Sequence, residues 1–458
     1  MPGRRRLVWA LFASAFIASL GHASIASPMS ATPGVTELAA AFVAQSEQRD
    51  PLFADGIGIH TYDDSLDDYS AFGHAKRMAW LRGWHTRLRR GMAGASAGDA
   101  ADARALLDTI DLELFEDETV KPFHTDPTFY TGVIGNAVYA LTGRHYASPD
   151  ERLRHVARRL TAIPNVCIAA EANLTRPTQV ATLQAIDELA GNVALYEGLN
   201  AEARAASPST RRAIARALPA AIAGLRRFGI FLHETLLPRS DANPRVGARV
   251  CDRELVLADG TNETRATLVA DARADFSTNR ATMLALALPF DRRYFPRRIA
   301  DESKSDAVDI VVRRVLDRLA EQHPTPGTIF ATAKNDVAAS EAFLAANPVV
   351  VLPQPSTLHV VATPDFMAGF SGASLDPAGP FTPMAESYYY IDKIPRTWNA
   401  RRVASYLRDF NNYEMRMLSM HEAVPGHYVQ FRYNAHVPSL VRRAFPSGSF
   451  AEGWAVYT

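Results

Sequence analysis

The sequence predicts a large, mainly α-helical protein with one small β-sheet toward its C-terminal end. Three observations predict it. From about residue 34 to 345, Leu/Ala/Arg-rich stretches place apolar residues three and four apart, broken by Pro, Gly and Asp/Asn clusters. Near residue 346 the texture changes to short runs rich in β-branched and aromatic residues bounded by Pro. From Arg401 onward, Val403, Tyr406, Leu407, Phe410, Tyr413, Met417 and Met420 return to a period near 3.6, which predicts a helix whose inward stripe continues into His421.

Taken in order, residues 1–26 carry Arg4, Arg5 and Arg6, an apolar run of 14 residues from Leu7 to Leu20, and small residues around Ser24-Ile25-Ala26. That is the three-part pattern of a signal peptide cut after Ala26. The run falls short of the roughly 20 residues that span a bilayer as a helix. Because the first cysteine is Cys167, nothing near the cut takes a lipid. The expected product is periplasmic or secreted, with no stable membrane anchor after cleavage. A helical N-terminal region follows over 27–345, with helices predicted at 35–48, 74–90, 101–114, 151–162, 178–199, 209–236, 266–287 and 305–322. Residues 237–260, with Pro238, Asn243-Pro244 and Gly247, read as a loop and a short extended piece. In the third region, 346–458, strands are predicted at 349–352, 358–362 and 387–391. Residues 369–374 form a small-residue edge strand or loop, and 376–383 a turn-rich connection. An open edge of this sheet suits strand addition by an extended peptide, which makes Ser371, Gly372, Ala373 and Tyr390 candidate substrate-binding residues.

The 458 residues include 49 basic and 49 acidic side chains, so no basic surplus points to a nucleic-acid partner. The two cysteines, Cys167 and Cys251, form no Cys-x-x-Cys pair, and their spacing leaves open whether they bond to each other. Any metal must be held by His and carboxylates.

The chemistry concentrates in His421-Glu422-Ala423-Val424-Pro425-Gly426-His427. An ordinary His-Glu-x-x-His zinc helix puts its histidines four apart on one face, with the Glu beside them as general base. Residues six apart in an unbroken helix differ by about 240° and roughly 9 Å along the axis, too far to share one ion. Pro425 removes an amide and pushes Val424 out of helical geometry, while Gly426 accepts unusual backbone angles. A helix bulged between Glu422 and His427 restores the effective spacing. Glu452, 25 residues beyond His427 in Ala451-Glu452-Gly453-Trp454-Ala455, supplies the carboxylate on a second helix that completes a His₂Glu set for one zinc ion. Two imidazoles favour zinc over calcium or magnesium. Gln430, three residues after His427, is a candidate partner for that imidazole. The chemistry of such a centre is hydrolysis of an amide bond, in a peptide or peptide-like substrate, with Glu422 as base.

These residues together resemble the bacterial family known as domain of unknown function 885, whose fold resembles helical zinc peptidases of the gluzincin type. Gly56-Ile57-Gly58-Ile59-His60-Thr61-Tyr62-Asp63 with Leu66-Asp67-Asp68-Tyr69-Ser70 is similar to the family's opening motif, and Tyr388-Tyr389-Tyr390-Ile391 to the strand before its metal helix. The resemblance implies a zinc-metallopeptidase-like metal helix beside the small sheet, with His421, His427 and Glu452 as ligands and Glu422 as base; it assigns no substrate. Members of that family continue past the Glu-Gly-Trp-Ala helix, whereas this chain stops at Thr458, which predicts an incomplete C-terminal region. A non-catalytic exported protein, binding metal or acting as an interaction scaffold, is therefore the rival expectation.

Overall fold

Short polar caps set most of the helix starts. The side chains of Ser70, Ser96, Ser148, Thr178 and Ser207 each accept from the amide three residues ahead, and Asp126 from that of Thr128. Pro51, Pro127, Pro149 and Pro208 occupy the first helical positions, where no amide is needed. The computed structural model describes residues 33–260, 263–297, 307–368 and 372–458. The predicted signal peptide and Ser371 lie outside them.

The helices run α1 (Val35–Arg49), α2 (Pro51–Ile57), α3 (Ala71–Gly91), α4 (Ala97–Thr119), α5 (Pro122–Thr125), α6 (Pro127–Thr142), α7 (Pro149–Asn173), α8 (Gln179–Glu202) and α9 (Pro208–Ile230). Then come α10 (Ala248–Asp259), α11 (Arg265–Tyr294), α12 (Ala307–Leu319) and α13 (Ile329–Ala346). Three strands follow, β1 (Leu358–Ala362), β2 (Ala373–Asp376) and β3 (Ser387–Ile391). The chain continues as α14 (Ala400–Asp409), α15 (Asn412–Glu422), α16 (His427–Asn434), α17 (Leu440–Ala444) and α18 (Gly448–Tyr457). The fold is mainly α with one small sheet, as the periodicities predict.

Four expectations are corrected. The segment expected to be loop and extended chain contains α10, an amphipathic helix that begins after Gly247 at φ +93 and packs on α4 and α18. The helix expected to stop before Pro164 runs on to Asn173, because α7 packs along α9 closely enough that a Cβ on Gly224 would touch the Pro164 backbone at 3.4 Å. Residues 349–352 form no strand, and Val349 and Val351 are exposed. The helix expected to run unbroken from 401 to His421 is two helices, since Asn411 turns its side chain onto the amides of Tyr413 and Glu414 and caps a new start.

The sheet has the order β1-β3-β2, with β1 parallel and β2 antiparallel to β3. The described residues form four hydrophobic cores, the smallest of them between α11 and α12. Of the others, one lies among α6, α7, α8 and α9, and a second joins α1, α3 and α4 to Val441 of α17. The third holds Tyr389 and Ile391 of β3 against α13, α15 and α16. Phe366, between β1 and β2, rests where Cβ atoms on Gly135 of α6 and Gly191 of α8 would collide with it, so the two glycines admit the sheet to the bundle. Cys167 is buried in α7 and Cys251 lies on α10; both are free thiols.

Candidate metal centre

α15 is fixed from two sides before it reaches His421. Tyr389 Oη of β3 lies 3.3 Å from Ser419 Oγ, and Arg416 Nε donates to Asp336 of α13 at 3.2 Å. The helix ends at Glu422, and Ala423 leaves helical geometry at φ −110, ψ −93. The chain crosses Val424 and a cis Pro425, Gly426 N donates back to Met420 O at 2.9 Å, and α16 starts at His427. The expected bulge in one helix is therefore a junction between two. The consequence for the side chains is the one expected: the two imidazoles face each other with ring centroids 4.7 Å apart and planes at 82°.

Glu452 of α18 closes the set, with Oε2 at 3.6 Å from His421 Nε2 and Oε1 at 3.7 Å from His427 Nε2. Bonds of about 2.1 Å at tetrahedral angles separate neighbouring ligand atoms by roughly 3.4 Å, near these two separations, and one ligand atom from each of the three residues lies within 4.8 Å of the others. His427 is buried, which depresses its basicity and keeps the imidazole neutral and able to ligate, although the Glu452 charge pulls the other way. Gln430 reaches the His427 ring as a side-chain hydrogen-bond partner that raises the imidazole's basicity, though the contact is too loose to satisfy the buried His427 Nδ1 and Gln430 Oε1 fully.

Glu422 points to the sheet. Burial pushes its carboxyl up to about 7, a backbone hydrogen bond from Leu375 of β2 opposes that, and the Glu452 charge adds to it. Gly372 leads into the same edge strand and Ala373 begins it; a Cβ on Gly372 (φ +77) would strike Phe410, and Ala373 is buried against Ile391. Tyr390 is not brought to the histidines. Strand alternation turns it away from α15, and its hydroxyl pairs with Tyr139 of α6 and donates to Asp376. The neighbour that faces the centre is Tyr389.

Sequence reasoning missed Leu375, which acts through its backbone, and Trp454, whose Nε1 donates to Pro425 O at 3.0 Å and Gly426 O at 3.2 Å. An apolar cavity of about 960 Å³ lies beyond α16 and α18, lined in part by Phe431, Val437, Phe445, Phe450 and Trp454. A second group with converging ligand atoms, Asp55, His60 and Asp63, is occupied by protein partners: Arg159 on Asp55, Tyr146 on Asp63.

The family model for bacterial proteins of unknown function, DUF885, matches residues 51–458. The chain belongs to the DUF885 family. As a DUF885 protein it shares its fold with two solved structures, each matching over 93% of this chain and 77% of the other. One is a candidate lipoprotein of unknown function from Shewanella oneidensis, 22% identical with a TM-score of 0.70. The second is a candidate lipoprotein from Colwellia psychrerythraea, 14% identical with a TM-score of 0.65. At these identities the likeness establishes the fold alone. No curated protein matches the chain. No described helix is long and apolar enough to cross a membrane.

Proposed function

We propose that this DUF885 protein is an exported hydrolase of peptide or peptide-like amide bonds, with one zinc ion held by His421, His427 and Glu452. The observation that carries the reading is the convergence of two imidazoles and a carboxylate from three helices, with the buried Glu422 carboxylate adjoining. Zinc at such a centre supplies Lewis acidity and lowers the pKa of water to about 7. The rest belongs to the chain. Glu422 takes a proton from the attacking water and returns it to the leaving amine, and the Leu375 amide favours its ionised form. The edge strand β2, bound to Glu422 through that amide, supports an extended substrate lying along it. The leader-like N-terminus supports export.

The test is metal content by elemental mass spectrometry together with hydrolysis of a quenched peptide library. One equivalent of zinc is expected, lost in His427→Ala. Glu422→Gln should keep the zinc and lose activity by about 100-fold or more. Zinc without turnover on any amide substrate would leave a metal-binding scaffold, and turnover that survives Glu422→Gln would place the base elsewhere.

A further inference from the structure

Trp454 stands two residues beyond Glu452 on α18, and one indole N–H spans both carbonyls that precede His427, at 3.0 Å to Pro425 and 3.2 Å to Gly426. Those carbonyls belong to the junction that aims His427. Gly426 O also accepts from Gln430 N at 3.1 Å as the first turn of α16 closes. The N–H therefore ties the helix carrying the third candidate ligand to the turn presenting the second. α18 is otherwise held by its buried Ala451 and Ala455 and by Ser449 Oγ donating to Asp259 of α10, while the Glu452 side chain is 68% exposed. Among the described contacts, the indole N–H is the hydrogen bond that joins α18 directly to the turn before His427. A slip of one residue moves a helix by about 1.5 Å and turns it by roughly 100°, enough to carry Glu452 off both imidazoles.

We propose that Trp454 is a positioning residue for the metal centre: its shared hydrogen bond fixes the rotation and height of α18 on the Pro-Gly turn, so that Glu452 and His427 meet the same ion. The inference rests on the metal reading of this site. Trp454 is no ligand of the ion; it acts through Glu452. Partners that hold a ligand in this way change metal affinity about 10- to 100-fold when removed.

The test uses the full chain with Trp454 replaced by 3-benzothienylalanine, which keeps the ring shape and lacks the N–H, alongside Trp454→Phe. Zinc affinity is measured by competition with a chromophoric chelator, and the metal-free proteins are compared by far-UV circular dichroism and thermal melting. The isostere should bind zinc about 10- to 100-fold more weakly with its metal-free melting unchanged. In a Glu452→Ala background the same replacement should have no further effect, because the ligand it positions is gone. Unchanged zinc affinity in the isostere, or an equal loss in the Glu452→Ala background, would overturn the proposal and leave the hydrogen bond a purely structural one. A wild-type chain that binds no zinc would instead sink the metal reading itself, which keeps the two failures distinct.

Discussion

A Cβ on residue 426 would lie 1.9 Å from the His421 carbonyl oxygen and 2.4 Å from that of Met420. Both are backbone atoms of the last turn of α15, so no side-chain movement relieves the contact. Glycine is required here for space and not for a positive φ, since its φ is −71. Gly426→Ala should open the junction, swing His427 away from His421, and weaken zinc binding by about 100-fold, read by chelator competition. Retained affinity would mean that the turn has another low-energy path. That His421, His427 and Glu452 come together was legible because the Pro-Gly break between the histidines lets them meet and Glu452 lies in a second helical motif. The form of the junction was not, because it depends on the Gly426 amide reaching back to Met420. Tyr390 was misplaced for a related reason: three consecutive tyrosines alternate between faces, and composition does not say which face meets α15.

At the scale of elements, β2 matters through one amide. Edge strands leave alternate N–H groups free of the ladder, and that of Leu375 is taken by Glu422. This hydrogen bond stabilises the carboxylate, so its removal raises the Glu422 pKa further. Proline is tolerated on an edge strand where the lost N–H faces outward. Leu375→Pro should therefore shift the acidic limb of the pH–rate profile to higher pH while zinc content holds; an unmoved limb would show that Leu375 does not tune the base. The strands at 358–362 and 387–391 were legible from β-branched and aromatic runs. The extra strand expected at 349–352 was not formed although the same signal was present, because Val349 and Val351 find no sheet face to cover. The break at Asn411 and the persistence of α7 through Pro164 were decided by a cap and by packing against α9, neither of which periodicity reports.

Over the whole molecule, the opening segment is bound into the bundle by charges in excess of their partners. Arg159 of α7 is fully buried and grips Asp55 of α2 at 2.7 and 3.2 Å, while Asp63, hydrogen-bonded to Asp55, is buried with His60 and Tyr146. Two buried carboxyls thus lie against each other, with the guanidinium on Asp55 and His60 and Tyr146 on Asp63. For Asp63, burial is outweighed by the His60 and Tyr146 hydrogen bonds, and its pKa is lowered. For Asp55, burial dominates despite Arg159 and the carboxyl is raised to about 7 from 3.8. The folded chain then holds a proton that the unfolded chain releases. This stabilising contribution is complete below the unfolded pKa and is lost as pH rises through about 7. One such proton changes stability by at most ~1.4 kcal/mol per pH unit in that window. Asp55→Asn keeps a neutral side chain of the same shape at every pH. Its melting temperature should be nearly that of the wild type at pH 5 and should decline less between pH 5 and 8. Parallel declines in the two proteins would mean that Asp55 is ionised in the fold and that Arg159 alone balances the pair.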